Sequence, residues 1–259
     1  MPTLTTNGAD LYYETHGSGP AIVFAHGAGG NHLSWWQQVP YFQQRYTCVT
    51  FDHRGFGRSL DARPVEQRPR FDEDLAALID HLQLADVRLV AQSMGGWTCL
   101  GYAVTHPERA RALVMADTAG GLTSPELEQA RASAQEKRGD LPLLGGALSQ
   151  SFRKRDPAGA FLYEQIFALN PPREQALGRG TPMNRLAVTA EQAAQLRLPV
   201  LFIEGADDVL IPPDVIRVAQ GLIPGARLQM VADAGHSVYF ERPDEFNRIL
   251  DAFLSEVGA

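Results

Sequence analysis

An α/β architecture, with a mostly parallel sheet and helices on both faces, is what this sequence predicts, and three observations carry it. Short β-branched apolar runs recur along the chain, each ending in polar or glycine-rich residues. Segments of helical periodicity lie between them. Glycine, proline and Asn-Gly fall at the joints, where turns and helix stops need them.

The elements follow in chain order. Pro2 to Thr6 and Leu11 to Thr15 flank Asn7-Gly8, a two-residue hairpin signal, so the sheet begins antiparallel. The five clearest strands are Ala21 to Ala25, Tyr46 to Phe51, Val87 to Ala91, Ala112 to Ala116 and Val200 to Ile203, with Leu228 to Val231 as a last one. Helical patterns span Leu33 to Gln44, Phe71 to Leu82, Met94 to Thr105, Pro213 to Leu222 and Pro243 to Leu254.

From about Ala119 to Gln195 the alternation breaks. No good strand is visible there; an amphipathic Pro125 to Lys137, the stretch Leu141 to Gly146, a helical Ala158 to Leu169 and a second amphipathic Ala187 to Leu196 are joined by Gly120-Gly121 and Pro171-Pro172. A stretch this long far exceeds an ordinary αβ loop. It reads as a helical cap, residues 119–196, inserted into a core made of 1–118 and 197–259. Its place is over the carboxyl ends of the strands, where open α/β sheets bind ligands.

Composition removes whole classes of function. With 259 residues, 44% hydrophobic and 20% charged, the chain suits one globular domain and neither a disordered nor a fibrous protein. A net charge of −7 repels nucleic acid and anionic membrane surfaces. No apolar run approaches a membrane span and the amino end lacks a signal-peptide pattern, so a cytoplasmic location is expected. Cys48 and Cys99 lie in apolar runs without CxxC spacing and read as buried free thiols.

The chemistry-bearing signal is Val87 to Ala91 running through Gln92-Ser93-Met94-Gly95-Gly96 into a helical pattern. Strand, sharp turn and helix with a serine at the turn is the context of a nucleophile elbow, G-x-S-x-G. Gly95 fits that pattern; Ala91 replaces the first glycine. A nucleophilic serine needs a base and the base an orienting acid. Asp207-Asp208 and His236 both follow predicted strands, and the order serine, aspartate, histidine is that of an α/β-hydrolase triad. Either Asp207 or Asp208 could be the acid.

On these residues the chain resembles the α/β-hydrolase superfamily, in the branch of small bacterial serine esterases and related cap-bearing hydrolases. Phe24 to Gly30 (FAHGAGG), Asp52 to Ser59 (DHRGFGRS), Gln92 to Gly96, Gly205 to Asp208 and Gly235-His236 carry the resemblance. It implies a mostly parallel eight-stranded sheet with the cap inserted after strand six. It implies Asp208 rather than Asp207 as acid, since the acid is the fourth residue of G-x-x-D. An ester carbonyl also needs oxyanion donors: Met94 N–H, directly after the nucleophile, and, by resemblance, Ala28 N–H. His26 is expected to brace that loop and the DHRGFGRS run to form a structural turn. His16, His32, His81 and His106 read as surface or helix-end residues.

Expected, then, is a carboxylic-ester hydrolase working through an acyl-enzyme, with Ser93, His236 and Asp208 as triad and no metal or organic cofactor. Its partner is a small-molecule ester-like substrate; monomer and homodimer are both open. Trp35, Phe161, Phe167, Leu210 and Val238 are expected to line an apolar pocket with Met94. Alternatives on the same fold are a C–C or enol-lactone hydrolase of aromatic-degradation products, or a ligand receptor. Ser93 argues against the dehalogenase and epoxide-hydrolase branches, which carry aspartate at the elbow. Ser237 stands where C–C hydrolases commonly carry tryptophan.

Overall fold

The amino-terminal hairpin forms as its turn residues dictate. Strand β1 (Thr3–Thr6) pairs antiparallel with β2 (Ala9–His16), and Asn7 and Gly8 between them take φ of 46° and 74°, a combination that asparagine and glycine tolerate best. The computed structural model, which describes residues 2–59, 61, 71–172, 176 and 187–258, continues with β3 (Ala21–Ala25), β4 (Thr47–Phe51), β5 (Val87–Gln92) and β6 (Ala110–Ala116). After the insert come β9 (Val200–Gly205) and β10 (Arg227–Val231). These eight strands form one sheet in the order β1-β2-β4-β3-β5-β6-β9-β10. From β4 onward every neighbouring pair is parallel.

The central strands are buried on both faces, which is why they read as continuous apolar runs. Successive residues alternate faces. Val23 and Ala25 pack with Leu75, Ile79, Leu100 and Ile216 on one side, under the helices Phe71–His81, Gly95–Thr105 and Pro213–Gly221. Ile22 and Phe24 pack with Trp35, Phe42, Phe246 and Leu250 on the other, under the helix Pro243–Glu256.

Three local expectations are corrected. The segment 33–44 is not one helix: a 3-10 turn at His32–Trp35 precedes a short helix at Val39–Phe42. Pro40 has no N–H to donate to the carbonyl of Trp36, so a continuous helix loses a bond at its centre. Nor is the insert free of strands. Leu122–Thr123 (β7) pairs in parallel with Val188–Thr189 (β8), runs too short to show a two-residue period. The expected helix at 187–196 shrinks to Ala190–Ala193, started by a capping box between Thr189 and Gln192.

The insert between β6 and β9 otherwise holds the helices Pro125–Arg138, Leu143–Gly146, Gln150–Arg155 and Pro157–Ala168. Residues 173–175 and 177–186 of it lie outside the described residues. It is tied to the core at loops that matter below. Asn31 donates to the Ile166 carbonyl at 2.9 Å, and Asn170 donates to the Gly29 carbonyl at 2.7 Å while accepting from Gly57 N–H at 2.9 Å. Glu241 accepts from the backbone and hydroxyl of Ser149 and from Gly235 N–H. Among the described residues no helix is long and apolar enough to cross a membrane.

Candidate active site

The turn after β5 places Ser93 at φ 49°, a left-handed conformation that costs a non-glycine residue on the order of 1–3 kcal/mol and persists only where neighbours enforce it. They do so here: Ser93 N–H donates to the Ala116 carbonyl at 3.1 Å, and Thr118 Oγ1 donates to the Ser93 carbonyl at 2.7 Å. The next helix can approach because Gly95 has no side chain; a Cβ there would stand 2.2 Å from the Ala25 carbonyl oxygen. Ala91, the departure from the elbow pattern, is accommodated as a buried residue of the sheet core.

Ser93 Oγ lies 2.8 Å from His236 Nε2, and His236 Nδ1 lies 2.7 Å from Asp208 Oδ2. A carboxylate only accepts, so Nδ1 carries the imidazole proton, Nε2 is left to accept, and Ser93 donates to it. Asp208 Oδ1 accepts the N–H groups of Leu210 and Ile211 at 2.7 and 3.0 Å. These bonds aim the other oxygen at the histidine. Asp207 points outward and is exposed. Burial acts to lower the basicity of His236, but the charge and hydrogen bond of Asp208, with Asp117 and Glu241 further off, outweigh it and raise the pKa above its ordinary value. Gln92 Nε2 donates to the His236 carbonyl at 2.6 Å, fixing the histidine loop to the strand that carries the serine.

Facing Ser93 is the loop after β3. His26 Nδ1–H donates to the Gly27 carbonyl at 2.8 Å, and its Nε2 accepts His53 N–H at 2.9 Å. Acceptance at Nε2 requires a neutral ring, and burial lowers its pKa to about 4. The loop comes close because Gly27 is bare: a Cβ would meet Gln92 Oε1 at 2.0 Å and Ser93 Cβ at 3.0 Å. Ala28 therefore stands beside the serine. Met94, just before the helix Gly95–Thr105, has an N–H among those with no carbonyl one turn back. The DHRGFGRS run supports this loop from behind. Asp52 accepts from His32 and from Arg58 N–H, and Arg54 is paired with Asp74 and Asp61. His32, expected at the surface or at a helix end, opens the 3-10 turn His32–Trp35 and is buried there, bonded to Asp52.

The expected pocket residues separate. A cavity of about 10 Å³ is bounded by Ser93, His236, Ala28, Phe167, Tyr163 and Tyr239 among others. Phe167 is thus in place, its ring so close to Gly29 that a Cβ there would stand 2.4 Å from it. Trp35 and Val238 are wholly buried in the core: Trp35 packs at a tilt against Phe24 and Tyr239, and Val238 uses its N–H to bind Asp117. Phe161 is 63% exposed, because it lies on the opposite side of its helix from Ile166. Leu210 borders a second cavity of about 220 Å³ with Trp97, Gly120, Arg131 and Val215.

Behind His236 sits a group of residues that sequence reasoning passed over. Oxygens of Asp117, Glu204 and Asp208 lie within 4.8 Å of one another, all buried, a spacing that could also ring a cation. The oxygens of Asp117 and Asp208 are committed to Gly205, Val238, Leu210, Ile211 and His236. Only those of Glu204 lack a hydrogen-bond partner among the described residues. Burial first, and the charges of Asp208 and Asp117 next, hold the Glu204 carboxyl well above the usual carboxylate range. Of the three carboxyls, Glu204 is the one with no donor among the described residues to stabilise its charged form. Its one sequence signal is a carboxyl inside the apolar strand Val200–Gly205.

This has a measurable consequence. A buried acid with a raised pKa loses stabilising effect as pH climbs above its unfolded value, because the folded state must hold a proton that the unfolded chain releases. Thermal unfolding of Glu204→Gln and wild type should thus converge near pH 4. Above that the variant should gain on wild type by up to roughly 1.4 kcal/mol per pH unit until the folded-state proton is lost. A gap independent of pH would show that Glu204 is ionised in the folded protein.

Comparison with known proteins gives the site its setting. A model of the family described as alpha/beta hydrolase fold matches residues 20–243. BpoC of Mycobacterium tuberculosis, which carries the name of a non-heme bromoperoxidase, is 31% identical over 96% of this chain and 99% of its own. A 3-oxoadipate enol-lactonase of Acinetobacter baylyi is 29% identical over 97% of this chain and 96% of its own. The solved enol-lactonase of Burkholderia xenovorans superposes with a TM-score of 0.81 at 25% identity, covering 98% of this chain and all of that one.

Proposed function

The chain belongs to the α/β-hydrolase fold family, and on that premise we propose that it is a serine hydrolase of carboxylic esters working through an acyl-enzyme on Ser93. His236 takes the Ser93 proton as Oγ attacks the carbonyl carbon, and Asp208 stabilises the imidazolium that forms. The N–H groups of Met94 and Ala28 receive the developing oxyanion. His236 returns the proton to the leaving alcohol, then activates water to release the acid. The observation that carries this reading is the continuous relay from Ser93 through His236 to Asp208, at 2.8 and 2.7 Å, on a strained turn. The insert, residues 119–196, serves as the cap: Ala147, Tyr163 and Phe167 close the cavity above the serine. Two buried free thiols, Cys48 and Cys99, suit a reducing, cytoplasmic setting.

A lactone is a cyclic ester and asks nothing more of this machinery. The enol-lactonases of Acinetobacter baylyi and Burkholderia xenovorans, both similar to this chain, favour that second reading. Turnover of a panel of short acyl esters, an enol-lactone and a ring-cleavage dienone separates the readings. The ester proposal requires sustained hydrolysis of open-chain esters, and a single covalent turnover without release would point to a receptor. The pH profile supplies a second test. The base must be neutral to act, so kcat/KM should rise with pH through a group titrating above the ordinary histidine value of 6.5, as the raised pKa of His236 requires. A limb below that value would show burial outweighing Asp208 at His236, and a profile with no limb in the histidine range would contradict the assignment of His236 as base.

A further inference from the structure

One polar group on the cavity wall has no part in the mechanism. Tyr163 sits on the helix Pro157–Ala168 of the insert, its ring held edge-on against Phe240 with centroids 5.0 Å apart. Its hydroxyl accepts a hydrogen bond from Ser237 Oγ at 3.0 Å, and Ser237 directly follows His236. An oxygen that already accepts from Ser237 has its own proton left to give, and among the described residues nothing takes it. Burial pushes this phenol up to about 12, so the proton is present at any working pH. The other phenol on the wall, Tyr239, is likewise bonded to a serine, Ser34, but its ring is packed into the core against Trp35 and Phe246. Tyr163, Ser93, His236 and Ala28 border the same small cavity.

We infer that Tyr163, backed by Ser237, is a specificity-determining hydrogen-bond donor for a second acceptor oxygen of the substrate, a few bonds from the scissile carbonyl. The inference rests on the ester-hydrolase reading and narrows its substrate class, from carboxylic esters in general to esters or lactones bearing an ether, keto or amide oxygen near the reacting group. A donor left facing hydrocarbon loses its hydrogen bond to water without replacement, so the site discriminates against substrates that lack the oxygen.

The test uses matched pairs: methoxyacetate against butanoate and 4-oxopentanoate against 4-methylpentanoate as 4-nitrophenyl esters, and 2-methoxyethyl against butyl acetate. In at least one pair, Tyr163→Phe should lower kcat/KM for the oxygen-bearing member by about tenfold more than for its hydrocarbon twin, with Ser237→Ala shifting the same pair less. Comparing variant with wild type cancels intrinsic reactivity, and the hydrocarbon twin controls for folding. An equal change across every pair, or none, overturns the inference. If wild type turns over no ester, the ester reading fails by itself. The donor is then read by NMR titration of the Ser93→Ala protein with methoxyacetamide and butanamide. Tighter binding of the methoxy compound that disappears in Ser93→Ala/Tyr163→Phe supports Tyr163, and equal binding of the two amides overturns it.

Discussion

Replacing Ser93 by alanine is expected to lower kcat for ester hydrolysis by about five to six orders of magnitude, leaving only the rate that binding and oxyanion contacts supply without a nucleophile. The loss should not come from unfolding. Ser93 Oγ makes one described hydrogen bond, to His236, whereas the turn is held by backbone groups: Ser93 N–H on Ala116 and the Ser93 carbonyl on Thr118 and Gly96. Alanine keeps all of those. Steady-state kinetics and a melting curve on the same preparation separate the effects, and an inactive variant that melts like wild type is the expected result.

Asp208→Asn should cost about 10⁴-fold in kcat, while Asp207→Asn should change it less than about threefold. The two positions are adjacent in sequence and opposite in surroundings. Asp208 is buried with one oxygen on His236 Nδ1 and the other on two N–H groups, and Asp207 faces solvent. An asparagine at 208 can offer His236 an N–H in place of an acceptor, which favours the wrong tautomer and leaves Nε2 protonated toward the serine. Losing the carboxylate charge also removes what raises the His236 pKa. The acid limb of the residual kcat/KM profile should therefore move down. Equal losses at the two positions, or a larger loss at Asp207, would place the acid elsewhere.

Much of this arrangement was legible in the sequence because it depends on local rules. Strands buried on both faces must be largely apolar, so Ala21–Ala25 and Ala112 to Ala116 stand out without any partner being known. A serine between a strand and a helix, flanked by small residues, reports a tight turn directly, and Ser93 sits there at positive φ. The break at Pro40 was equally local and a stricter reading of proline would have found it. What escaped was set by long-range packing. Tyr163 and Phe161 are two residues apart on one helix, yet one meets Ser237 and the other meets solvent. Which face of that helix turns inward depends on the core it covers. Asp117 and Glu204 acquire their meaning only when β6 and β9 lie side by side and bring both carboxyls against Asp208. Asn170 likewise becomes a bridge between the Gly29 and Gly57 loops only after the insert has docked.

The most direct measurement is covalent labelling with a fluorophosphonate, followed by peptide mass mapping. Modification should fall on Ser93 alone, in one-to-one stoichiometry, in step with loss of esterase activity and absent from Ser93→Ala. A protein that stays unlabelled at Ser93 while hydrolysing esters, or a Ser93→Ala variant that keeps turning them over, would contradict the proposed chemistry at its first step.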